Sequence, residues 1–223
     1  MWIVLAADAL AAEPNLAPDR PGIGDSTETP GAGFVLVEGG LAAAFADRET
    51  SFGTSSLTVR IGLSDAFEAR LNVPDLTFPG PEAGPLGVGF KVGGKLTDRW
   101  SLSLVPTLLV PLDGAAVAGQ LNANLGFDLE KVAMWGHVST TASTDPGFLE
   151  PPVSAIAGGG VQVPVGTGGV FVHGARELAV TTMLGAGGWW CPAEKVQLDV
   201  EFDIYGVGQD IVAVPNLGVA AVF

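Results

Sequence analysis

The chain of 223 residues holds one cysteine, Cys191, so no disulfide can form within it and a disulfide scaffold is excluded. It also lacks a long apolar run. A membrane-crossing helix needs roughly 20 uninterrupted apolar residues, whereas the best stretch, Leu102 to Ala118, is short and carries Pro106, Pro111 and Asp113. Basic residues are scarce: 10 Lys and Arg stand against 24 Asp and Glu, for a formal charge of −14. A phosphate-rich partner needs a basic stripe, so this balance argues against nucleic acid. Metal and redox roles want clustered ligands, and Cys191, flanked by Trp189 and Trp190, has no histidine near it in sequence. It reads as an inert thiol.

What is present sits badly in a soluble protein. Hydrophobic residues make up 48% of the chain, mean hydropathy is +0.41, charged residues reach only 15%, and there are 32 glycines. Lipid admits one backbone solution besides the helix, the closed β-barrel, because every amide and carbonyl in hydrocarbon must find a partner within the protein. The expected fold class is therefore all-β: a transmembrane antiparallel up-and-down barrel.

Three parts follow one another along the chain. Residues 1–13 resemble the end of a secretory signal, apolar and then small, without the basic start, and are read as a truncated signal peptide. Residues 14–33 are polar, rich in Pro and Gly and without an apolar period, which predicts an irregular periplasmic or plug-like segment. From Phe34 to Phe223, apolar residues recur at every second position in stretches separated by turn residues, as membrane strands require. Val196, Leu198, Val200, Phe202 and Ile204, for instance, alternate with Gln197, Asp199, Glu201, Asp203 and Tyr205.

About twelve strands are expected, near 34–45, 57–64, 66–73, 86–96, 99–110, 119–129, 132–142, 153–164, 169–178, 180–190, 195–205 and 210–223. Short turns at 64–65, 97–98, 130–131, 165–168 and 192–194 alternate with longer connections at 46–56, 74–85, 111–118 and 143–152, although the one near Leu178 is too short to fit. Outer-membrane barrels keep their short turns in the periplasm, which predicts a bacterial outer-membrane location with both termini periplasmic. Trp100, Trp135, Trp189, Trp190 and Phe223 then fall near periplasmic strand ends, where interfacial rings are favoured. Pro106, Pro164 and Pro215 fit less well, since each removes a ladder donor.

Several motifs carry a family resemblance. Asp19-Arg20-Pro21, Thr27-Glu28-Thr29-Pro30, Gly33-Phe34 with Glu38-Gly39, Val59 to Asp65 with Phe67 to Leu71, Leu86 to Lys91, and Leu96 to Arg99 together resemble the outer-membrane transporter family named for the meta-cleavage pathway of phenol degradation. The resemblance covers most of the chain and is sharpest between residues 19 and 110. It implies an outer-membrane barrel that moves small molecules, hydrophobic or aromatic ones among them. It also implies that the terminal Phe223 is the aromatic signal read by the outer-membrane assembly machinery, with membrane lipid and lipopolysaccharide as the other partners.

The inward face is the natural functional surface. Its charged candidates are Glu38, Arg60, Glu68, Arg70, Lys91, Lys95, Asp199, Glu201 and Asp203. They read either as mutual ion pairs that fill the lumen or as a selectivity lining, with the basic residues set across from the acidic strip. A turn pairing Gly62 with Ala66 would place Arg60 directly across from Glu68. With the segment 14–33 in or beneath the lumen, Asp19, Arg20, Asp25 and Glu28 would pair with those charges.

No cofactor or metal is expected. His173 and Glu177 share a strand face but lie more than about 12 Å apart at 3.3 Å per residue. The clusters Gly158 to Gly160 and Gly185 to Gly188 have no following helix pattern to cradle a phosphate and read as close strand packing. An enzyme would rest on His137 and Ser139, a base and a hydroxyl on one strand face, as in outer-membrane lipid hydrolases; by parity both face inward with Trp135, and no orienting acid is evident. The favoured reading is a passive pore or transporter with no catalytic residue. The alternatives are that hydrolase and a structural barrel without transport.

Overall fold

The computed structural model describes residues 14–20, 22–46, 49–80, 82–114, 116–143, 153–177, 181–207 and 210–223. The signal-like start, Pro21, and the connections at 144–152 and around Leu178 lie outside them. The strands are β1 (Val35–Ala46), β2 (Glu49–Ser64), β3 (Phe67–Asn72), β4 (Leu76–Phe78), β5 (Glu82–Ala83), β6 (Leu86–Lys95), β7 (Trp100–Val110), β8 (Ala118–Leu129), β9 (Val132–Ser143), β10 (Val153–Val165), β11 (Gly168–Glu177), β12 (Thr181–Ala193), β13 (Val196–Val207) and β14 (Asp210–Val222). All pair antiparallel with their neighbours, and β1 bonds to both β2 and β14, so twelve of them close into a barrel. Closure leaves the twelve-stranded wall without a first or last strand to form an open edge. The remaining two, β4 and β5, form a small hairpin that continues the sheet from the upper part of β2 through Phe52↔Phe78 and Gly53↔Thr77.

The alternation sorts the side chains inside out relative to a soluble protein. Leu198, Val200, Phe202 and Ile204 are exposed on the outer wall, as are Val88, Phe90, Val92 and Leu217. Arg60, Lys91, Glu38 and Glu68, by contrast, are at most 1% exposed. An apolar exterior with charges sealed inside is stable only when the exterior meets hydrocarbon. Val200→Arg on that face is expected to destabilise the barrel by about 2–4 kcal/mol at the bilayer midplane. Urea titration in lipid vesicles reads the effect, and a change within error would show that Val200 does not meet lipid.

The expected strands match the observed ones closely except at 46–56 and 74–85, where loops were expected: β2 already begins at Glu49, and the second stretch carries the β4–β5 hairpin. Between the pairs Glu38↔Thr58 and Gly40↔Ser55, β2 advances three residues while β1 advances two, a bulge on β2 that shifts the β1–β2 register by one. Such a shift swaps the two faces of a strand, so the period that holds from Val59 onward runs out of phase above it. Leu57, which the period of Val59, Ile61 and Leu63 would put on the outer face, lines the lumen. The expected contrast between short and long connections is accordingly weaker, because β1 ends at Ala46 only two residues before β2.

The prolines are accommodated by gaps in single ladders. Pro106 pairs with Leu121 on β8, while the β6–β7 pairs step from Gly89↔Thr107 to Val92↔Leu104 without it. Pro215 pairs with Phe202, and the β1–β14 pairs step from Ala42↔Asn216 to Phe45↔Ala213. Pro164 pairs with Gly169 near the end of β10. Barrel closure ties the two ends of the wall together: Phe223 N–H donates to Val35 O at 2.8 Å, and Val35 N–H donates back at 3.1 Å.

Candidate functional site

Residues 14–33 cannot make strand ladders, and a buried irregular backbone must find hydrogen-bond partners elsewhere. The lumenal side chains supply them. Arg60 donates to the carbonyls of Ala17 (2.7 Å) and Glu28 (2.8 Å), Trp135 Nε1 to Ile23 O (2.8 Å), Gln197 to Arg20 O (3.0 Å) and Ser103 to Ser26 O (3.2 Å). Glu38 Oε2 accepts from the amides of Asp19 (2.8 Å) and Arg20 (3.2 Å), and Asn124 Oδ1 from that of Asp25 (3.0 Å). These partners come from strands all round the wall, so the segment runs through the barrel interior.

Asp19 and Arg20, neighbours in sequence, bind different parts of the wall. Arg60 lies opposite Arg70 in the β2–β3 register, with Glu68 facing Gly62, so the directly opposed Arg60–Glu68 pair expected from the turn is not formed. A register shift next to the turn, where Ser64 pairs with Phe67, sets this arrangement. Glu68 instead reaches Arg60 diagonally with two bonds of 2.8 and 2.9 Å. Like charges placed opposite one another repel, and Asp19 offsets this by contacting Arg60 (3.1 Å), Arg70 and Lys91 (2.9 Å). Asp25 adds a second contact to Arg70 at 2.9 Å. Burial alone would raise the Asp19 pKa, but Arg60, Arg70 and Lys91 together outweigh it and hold the carboxyl well below the usual range.

Arg20 meets the acidic strip. Its guanidinium is 3.3 Å from Asp199 and donates to Ser55 at 2.8 Å. This close approach depends on Gly218, where a Cβ would stand 2.5 Å from both Arg20 Nε and the Asp199 oxygens. Further along β13, Glu201 and Asp203 both reach His173 on β11.

Three expected placements need correction. Lys95 is exposed, because it ends β6 at the rim beside Asn15 and Glu28 and so does not line the central lumen. The Glu28 carboxylate accepts from Asn15 (2.8 Å), and it is the backbone oxygen of Glu28 that meets Arg60 and Lys91. The tryptophans divide: Trp100 and Trp190 are exposed outside, whereas Trp135 and Trp189 border a lumenal cavity because they share the inward parity of His137 and Gly187. The glycine clusters make room for side chains from adjacent strands: a Cβ at Gly160 would come within 2.5 Å of the Trp135 ring, and one at Gly187 within 2.5 Å of Phe171.

His137 and Ser139 do not act on each other. His137 Nδ1 bonds Asn124 Oδ1 (2.7 Å), and Ser139 donates to Asn122 Oδ1 (2.7 Å). Both are buried inside the barrel, away from lipid. The sequence reading missed Asn122, Asn124, Ser101, Ser103 and Gln197 as contributors, although their inward parity was visible. All but Gln197 sit on β7 and β8, where Thr27 Oγ1 donates to Ser101 (2.7 Å) and Asn122 to Asp25 (2.8 Å).

The segment separates two lumenal cavities, one of about 760 Å³ and one of about 340 Å³, which share Asp19, Arg20, Ile23, Gly24 and Asp25 as lining. The larger one lies toward the ends of β3, β7 and β9 that carry the longer connections and mixes charges with Leu57, Leu109, Ile156 and Met183.

The sequence matches no protein family and no curated relative. Solved structures do share its fold. An outer membrane channel from Pseudomonas putida F1 superposes with a TM-score of 0.67 at 14% identity, over 92% of this chain and all of that one. The NanC porin gives 0.63 at 12% identity, over 84% of this chain and 98% of its own. The CymD monoaromatic hydrocarbon channel gives 0.51 at 10% identity, over 86% and 89%. The fold is thus that of outer-membrane channel barrels, the coarse part of the family resemblance.

Proposed function

We propose that this chain is a bacterial outer-membrane pore through which small molecules pass passively, with the segment 14–33 setting the constriction. The observation that carries the reading is the pair of cavities on either side of one internal segment, inside a closed barrel whose exterior is apolar. A wall that only anchored or only filled itself would not need two open chambers flanking a charged crossing. The apolar patches of the larger chamber support a cargo with hydrophobic or aromatic parts, and the shared fold with a monoaromatic hydrocarbon channel supports the same class.

In this reading the charged crossing at Arg60, Arg70, Lys91, Glu38 and Glu68, with Asp19 and Asp25, is the selectivity lining. Asp199 and Arg20 form its opposite wall. The short-turn end, where Val35 and Phe223 join, faces the periplasm, so both termini lie there. Phe223 then serves the assembly machinery, while membrane lipid and lipopolysaccharide cover the outer wall.

Swelling of liposomes carrying the full chain, measured with a panel of small aromatic and non-aromatic solutes, tests the proposal. Aromatic solutes of a size to fit the larger chamber should permeate above the rate of empty liposomes. If neither the full chain nor a chain lacking residues 14–33 passes any solute, the pore reading is wrong.

A further inference from the structure

The geometry points to a divalent transition-metal site formed by His173, Glu201 and Asp203 on the wall of the larger lumenal cavity. His173 Nε2 is 2.9 Å from Glu201 Oε1 and 3.0 Å from Asp203 Oδ1. The three ligand atoms all lie within 4.8 Å of one another. One imidazole nitrogen and two carboxylates make a donor set suited to Zn²⁺ and its neighbours in the first transition row. The site stands apart from the Asp19 and Arg20 contacts and does not depend on whether the barrel conducts.

The pairing excluded along β11, His173 with Glu177, is replaced by one across strands. His173 and Asp203 lie on β11 and β13, roughly 10 Å apart at the backbone given strand spacings of 4.7–4.9 Å. Between them on β12, Gly185 pairs with both. A Cβ at Gly185 would stand 2.1 Å from His173 Nε2 and 2.1 Å from Asp203 Oδ1. The ligands therefore meet over bare backbone, and any larger residue at that position would force them apart.

A second observation, independent of the distances, points to the same centre. The His173 side chain is 1% exposed, and both of its ring nitrogens, with Asp203 Oδ1, are buried without a hydrogen bond. Buried polar atoms are seldom left unsatisfied, and an ion bound to Nε2 would take up that nitrogen and Asp203 Oδ1 together. A tetrahedral ion with bonds near 2.0–2.1 Å would set its ligand atoms roughly 3.3 Å apart, so each carboxylate oxygen needs to draw back from Nε2 by only a few tenths of an ångström, while the two oxygens, within 4.8 Å of each other, settle around the ion. Asn216 donates to the other Asp203 oxygen at 3.2 Å, orienting the carboxylate toward the histidine. With Nε2 as ligand and Nδ1 carrying the proton, a divalent ion cancels both carboxylate charges.

Zn²⁺ is titrated calorimetrically into the full chain in detergent near neutral pH. One equivalent should bind per chain. His173→Gln and the double variant Glu201→Gln/Asp203→Asn should each weaken it by at least 10- to 100-fold, roughly the loss known even for outer-shell partners. Glu177→Gln, on the border of the same cavity, should leave it unchanged. Electrophoretic heat-modifiability reports whether each variant is folded. Should a variant fail to fold, Co²⁺ added to the native chain decides: intense visible bands of a low-coordinate nitrogen–oxygen site support the proposal, and the spectrum of the hydrated ion overturns it. No Zn²⁺ uptake by the native chain above the double variant, or uptake by all variants alike, also overturns it.

Discussion

Removing residues 14–33 is expected to raise single-channel conductance in planar bilayers severalfold over the full chain. The two cavities share their lining only through this segment, at Asp19, Arg20, Ile23, Gly24 and Asp25, so its removal joins them into one path. Selectivity should change as well. The deletion takes away three carboxylates, Asp19, Asp25 and Glu28, and one guanidinium, Arg20. Arg70 then loses two of its counter-ions and Lys91 one, which leaves a more basic constriction and should shift preference toward anions. The wall itself should persist, because the strand ladders close without the segment. Conductance equal to that of the full chain would remove the segment from the path.

Asp19→Asn is expected to loosen the same segment without cutting it out. One carboxylate contacts Arg60, Arg70 and Lys91, and all three cations are nearly or fully buried. Removing one partner of a buried charge network costs about 3–5 kcal/mol. Here the cost falls toward the low end, because Glu38 and Glu68 remain beside the cations. Even about 3 kcal/mol shifts the docked-to-undocked ratio of the segment roughly a hundredfold. Cleavage by protease at residues 14–33 and conductance both read this shift.

The pH dependence follows from the same residue. The folded carboxyl titrates well below its unfolded range, so its contribution is fully present above about pH 4 and is lost as the pH falls further. The native chain should therefore loosen its segment on acidification, while Asp19→Asn is loose already at neutral pH and nearly indifferent to acid from this source. A variant that resists protease as the native chain does would show that Asp19 does not hold the segment.

Much of the wall was legible because a membrane strand writes its two environments in alternate letters. Gln197 to Tyr205 is the clearest case, with Asp199 and Asp203 buried and Leu198, Val200 and Phe202 exposed as the period requires. The period failed at 49–56 for a physical reason: a bulge swaps faces, and the Ser- and Thr-rich stretch offers no strong apolar marks to reveal the swap. Residues of the lumen could be assigned to a face but not to partners. Arg60 and Glu68 do meet, yet diagonally, since the last residues before a turn set register and these are not readable from alternation.

The amino-acid sequence alone determined the architecture: no helix could cross, no disulfide could staple, and a period of two with scarce charge leaves a closed barrel with its polar face inward. Local chemistry is enough for this because burial and lipid contact act on each residue separately. Tertiary structure alone decided which charges meet. Asp19 beside Arg60, Arg70 and Lys91, Arg20 against Asp199 across Gly218, and His173 with Glu201 and Asp203 above Gly185 all join residues far apart in the chain. Such contacts depend on strand order, register and the path of an irregular segment, and those are properties of the closed barrel as a whole.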